Sequence, residues 1–99
     1  MTKLRTAIVD QLFDVILSLD DREECYRFFE DVCTVNEIQD MAQRFEVAQL
    51  LAEGKNYQQI AAQVGVSTAT ISRVSRCLNY GNGGYEEAIA KRKAATKDE

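Results

Sequence analysis

The chain contains no histidine and no proline, and only three cysteines and five glycines in 99 residues. Without imidazole it lacks the commonest general base and metal ligand. No glycine-rich phosphate loop precedes a helix and no nucleophile is paired with a base, so an enzyme is excluded and no catalytic residue is assigned. Adjacent acids such as Asp20 and Asp21, or Glu23 and Glu24, read as helix-start charges. Cys25, Cys33 and Cys77 form no CxxC motif and cannot all pair within one chain. With no histidine to join them, neither a metal site nor a cofactor is expected, and buried, reduced thiols are. No stretch approaches the roughly 20 apolar residues of a membrane span, and charges interrupt MTKLRTAIVDQ where a signal peptide needs an apolar run. A cytoplasmic protein with no membrane partner is expected. The absence of proline leaves long helices as the simplest way to satisfy the backbone.

What is present is a globular composition, 45% apolar and 28% charged, in a length that suits one domain over residues 1–99. So short a chain buries a modest core and gains stability from a partner subunit. Its net charge of −4 is unusual for a nucleic-acid binder, but the distribution is uneven. All sixteen acids lie outside residues 54–84, where Lys55, Arg73 and Arg76 are the only charges. A surface cleared of carboxylates within an acidic chain is what a polyanionic partner requires.

The apolar spacing predicts six helices and no strand, an all-α fold. In residues 2–19, Leu4, Ile8, Leu12, Val15, Ile16 and Leu19 form a stripe that Val9 and Phe13 widen. That width calls for burial against more than one helix, a second chain's included. Asp20 or Asp21 caps a second helix carrying Cys25, Phe28, Phe29 and Val32 and ending near Cys33. Thr34 and Glu37 have capping-box spacing, opening a third helix to about Glu53 with Ile38, Met41, Phe45, Ala48, Leu51 and Ala52 on its inner face. Gly54 closes it. The expected organisation is a helical dimerisation core over 2–53, a helix-turn-helix over 56–78, a C-terminal helix over 85–94 and a fraying tail over 95–99.

The segment YQQIAAQVGVSTATISRVSR, residues 57–76, carries the most specific signal. Two short helices joined by a tight turn need a small residue where they approach, and Ala61 is one. Gly65 suits a left-handed turn position, Val66 plugs the angle, and Ser67 is a good N-cap. Ile60, Val64, Ile71 and Val74 are spaced to close the small core between them. The outward face of the second helix then holds Thr68, Ala69, Ser72, Arg73 and Arg76, with Thr70 to the side. Hydroxyls and methyls near a helix N-terminus suit base edges in the major groove, and the arginines suit phosphates or guanine. Lys55, Tyr57 and Gln58, at the start of the preceding helix, are further candidates for phosphate contact.

Thr34-x-x-Glu37, QRFEVAQLLAEG (residues 43–54) and GVSTATISRVSRCL (residues 65–78) together resemble the tryptophan repressor family, over residues 10–90. The resemblance implies an intertwined homodimer in which the first three helices of each subunit interlock with the other's. It also implies two recognition helices about 34 Å apart, reading successive major grooves of a near-palindromic site in double-stranded DNA. Tryptophan-binding members sandwich the indole between two arginines, with a glycine after the second. Arg73 corresponds to that second arginine, whereas Glu46 is assigned to the place of the first and Val74 to that of the glycine. Thr34 corresponds to a residue at the pocket rim. The effector pocket expected on this basis (Thr34, Glu46, Arg73, Val74) is unsuited to tryptophan, and a Glu46–Arg73 ion pair is expected to hold the head in place without ligand. The function implied is a sequence-specific transcription regulator, a repressor rather than an activator given the chain's small size, with its effector unknown. The rival is a protein-interaction module that keeps the helix-turn-helix as a packing unit, a reading that the acidic net charge favours.

Overall fold

The computed structural model describes residues 3–97, in which there are six helices and no strand. They are α1 (Ala7–Ser18), α2 (Arg22–Val32), α3 (Val35–Ala52), α4 (Tyr57–Val64), α5 (Thr68–Tyr80) and α6 (Gly84–Lys97). The first helix starts later than the apolar stripe suggests, because the Thr6 hydroxyl accepts from the Val9 amide and caps it there. Thr2, the expected start, lies outside the described residues. At the other end α6 runs on to Lys97, so residues 95–97 are helical where a fraying tail was expected. Alanine and lysine are strong helix formers, and the run KRKAATK contains no breaker.

The chain divides into two compact units within α3, residues 1–38 and 39–99. In the first, Asp21 caps α2 by accepting from the Glu24 amide at 2.8 Å. The Thr34 hydroxyl accepts from the Glu37 amide and the Glu37 carboxylate from the Thr34 amide, at 3.1 and 2.8 Å, so the expected capping box opens α3. Phe28 and Phe29 meet edge to face at 5.4 Å. Yet no residue of α1 or α2 is buried, and Leu4, Ile8, Phe13, Leu17 and Val32 are each about half exposed or more.

The second unit holds the core: Val47, Ala48 and Leu50 of α3, Ile60 of α4, Ile71 and Val74 of α5, and Ile89 of α6. Val47 and Leu50 are not among the positions expected to face inward. Of the expected stripe, Phe45 and Leu51 flank the core half-buried, while Met41 and Ala52 are exposed. Apolar residues occupy more than half the circumference of α3, so periodicity locates a broad face without its centre. The end of α3 is closed by Gly54 at φ +89°, with Gly54 N donating to Leu51 O and Lys55 N to Leu50 O. That pair of bonds is the Schellman arrangement.

Candidate nucleic-acid interface

The local chemistry of residues 56–70 builds two capped helices around one left-handed residue. The Asn56 side chain accepts from the Gln59 amide and the Gln59 side chain from the Asn56 amide, both at 2.9 Å, which starts α4. Gly65, at φ +81° and ψ +35°, ends it and donates to Ala61 O. Three residues later α5 begins, with Ser67 Oγ accepting from the Thr70 amide at 3.2 Å. Ile60, Ile71 and Val74 are essentially fully buried where the two helices meet. Val64 and Val66 pack half-buried against them.

That packing dictates what α5 shows to solvent. With Ile71, Val74 and Leu78 turned inward, the opposite side carries Ala69, Arg73 and Arg76 in the open, and Thr68 is exposed at its start. Ser72 and Thr70 are half-buried at the flanks. Lys55, Tyr57 and Gln58 are exposed at the head of α4. The nine candidate DNA contacts thus all retain accessible surface within the second unit. Cys77 sits beyond the edge of the apolar side and is exposed, and Cys25 and Cys33 are half-buried. All three thiols are free, as expected, but none is fully buried.

Of the expected effector set, the second unit holds Glu46, Arg73 and Val74, and of these only Arg73 lines a cleft. Val74 is 1% exposed within the core. Glu46 is exposed and accepts a hydrogen bond from Gln49 on its own helix. Thr34 belongs to the first unit, where its hydroxyl is engaged in the cap of α3. Beside Arg73 lies instead a cleft of about 310 Å³, lined by Asp40, Gln43 and Arg44 of α3, by Gly65, Val66 and Ser67 of the turn, and by Thr70. Two positions along a helix differ by about 200°, so Glu46 points away from the face that carries Arg44. Arg44 is the guanidinium that sequence reasoning missed, because Val47 was not among the positions expected to face inward. Asp40, Arg44 and Val47 recur at helical spacing, and Val47 leads into the core.

Two consecutive helices, both N-capped, crossing a glycine turn and presenting a carboxylate-free outer face, define a helix-turn-helix protein of the all-α class. The description "Trp repressor protein" matches residues 7–93, and the chain belongs to that family of DNA-binding regulators. It is 64% identical over 87 residues to YerC, an uncharacterised protein of Bacillus subtilis, spanning 88% of this chain and 84% of YerC. Among solved structures it is similar to a TrpR-like protein from Eubacterium eligens, at 57% identity and a TM-score of 0.90 over 92% of this chain and 94% of the other. It is also similar to a Staphylococcus aureus protein described provisionally as a Trp repressor. That match has 52% identity and a TM-score of 0.89, over 92% and 91% of the two chains. The all-α fold is the one these two solved structures share. No described helix is long and apolar enough to cross a membrane.

Proposed function

We propose that this protein is a sequence-specific transcription regulator that binds double-stranded DNA in the cytoplasm as a homodimer, acts as a repressor, and does not use tryptophan as its effector. The observation that carries this reading is the outer face of α5. Thr68, Ala69, Arg73 and Arg76 stand exposed there, in a stretch of 31 residues (54–84) without a carboxylate. Such a face meets base edges with short side chains near the helix start and phosphates with the two arginines further along. Repression is the output implied by family membership.

Two further observations support the finer parts. The apolar side chains left open on α1 and α2, helices with no buried residue, need a cover, and a second copy supplies one. The cleft brings Arg44 and Arg73 together, but Val74 stands where tryptophan-binding members have a glycine, and its buried isopropyl group takes the space that a glycine leaves to the ring.

The test is retardation of duplex DNA. Affinity is expected to fall steeply with salt, and Arg76→Ala to reduce the log–log slope by about one unit. Added tryptophan is expected to change nothing, and tighter binding at micromolar tryptophan would reverse the effector assignment. If no duplex is retarded even at low salt, the chain is an interaction module, the reading its net charge of −4 favours.

A further inference from the structure

We propose that Tyr80, the last residue of α5, is a DNA contact whose hydroxyl donates a hydrogen bond to a backbone phosphate at the edge of the groove that α5 enters. The proposal rests on the DNA-binding reading and extends the contact surface one turn past Arg76. Ala69, Arg73, Arg76 and Tyr80 follow one another at intervals of four, three and four residues, which sets them in one stripe along α5. Ile71, Val74 and Leu78 occupy the opposite side, against the core. Tyr80 is 87% exposed, more than any other large apolar side chain among the described residues.

The local backbone keeps the ring at the end of that stripe. Gly81 N donates to Cys77 O at 2.9 Å and closes α5 directly after Tyr80. A Cβ at position 81 would collide with the same carbonyl oxygen, so it is glycine that lets the chain turn away there. Tyr80 is therefore the final side chain of the outer face, with no further turn of α5 beyond it.

Distance selects a phosphate as its partner. The helical rise from Ala69 to Tyr80 is about 16 Å, whereas the major groove is about 12 Å wide. With Thr68 and Ala69 at base edges, the last turn of α5 reaches past the groove to a sugar-phosphate strand. That turn carries no basic residue, so a phosphate there is met by an uncharged donor, and the Tyr80 hydroxyl is one. The absence of carboxylates from residues 54–84 leaves no neighbour in that stretch to repel the phosphate.

The experiment is fluorescence anisotropy of the full chain with two labelled duplexes of about 30 base pairs and unrelated sequence, titrated between about 50 and 200 mM KCl. Tyr80→Phe is expected to weaken binding about three- to tenfold, the loss of one hydrogen bond, and to do so equally on both duplexes. Its log–log salt slope should equal the wild type's because no charge is removed, whereas Arg76→Ala lowers that slope. Tyr80→Ala should bind at least as weakly, and thermal melting should find both variants as stable as the wild type, since the side chain is exposed. Wild-type affinity in Tyr80→Phe beside a reduced slope in Arg76→Ala overturns the proposal while the DNA-binding reading survives. A loss confined to one duplex also overturns it, because Tyr80 would then contact a base. If Tyr80→Ala alone is weakened, the ring and not the hydroxyl makes the contact, and the proposal is wrong. A wild type that binds neither duplex removes both readings.

Discussion

Gly65 holds the two helices of the head at their turn with φ +81° and ψ +35°, a conformation costly for any residue with a Cβ. No atom lies within 4 Å of where that Cβ would stand, so a substitution meets conformational strain and no collision. Gly65→Ala is therefore expected to cost about 1–2 kcal/mol in urea unfolding, and Gly65→Asn less. An alanine variant as stable as the wild type would show that the turn relaxes elsewhere. A two-residue difference matters as much at this scale. Arg44 lines the cleft whereas Glu46, assigned to it from sequence, faces away, because matching motifs by residue type leaves the helical phase undetermined.

At the scale of elements, short helices depend on their ends. α4 has eight residues, too few to be stable alone, and its first amides are satisfied by the reciprocal Asn56–Gln59 bonds. Asn56→Ala is expected to lower stability by about 1 kcal/mol, and Asn56→Asp by much less. Comparing their denaturant midpoints checks this, and equal midpoints would mean that tertiary packing through Ile60 sets the start of α4 by itself. Caps were legible in the sequence because their chemistry is local. Thr34 and Ser67 each cap the helix expected of them. The far end of α6 was not legible, since a polar run of good helix formers reads equally as helix or as tail.

For the whole molecule, the core lies entirely in the second unit, while α1 exposes Ile8, Phe13 and Leu17, and α2 exposes Tyr26 and Val32. If a second copy covers those side chains, folding and association are linked, and the melting temperature must rise with protein concentration. Expected by sedimentation is a mass about twice the 11.2 kDa of one chain. A melting temperature independent of concentration, with a monomeric mass, would leave the apolar side chains without their proposed cover.

By itself the sequence determined six helices, most of their caps, the glycine turn and the acid-free face of the reading head, because each depends on residues within one or two turns of chain. Only the tertiary structure decided which side of α3 enters the core and which guanidinium joins Arg73 at the cleft. Those choices depend on the rotation of one helix against others distant in sequence. An apolar pattern broader than the contact it serves leaves that rotation open until the helices pack.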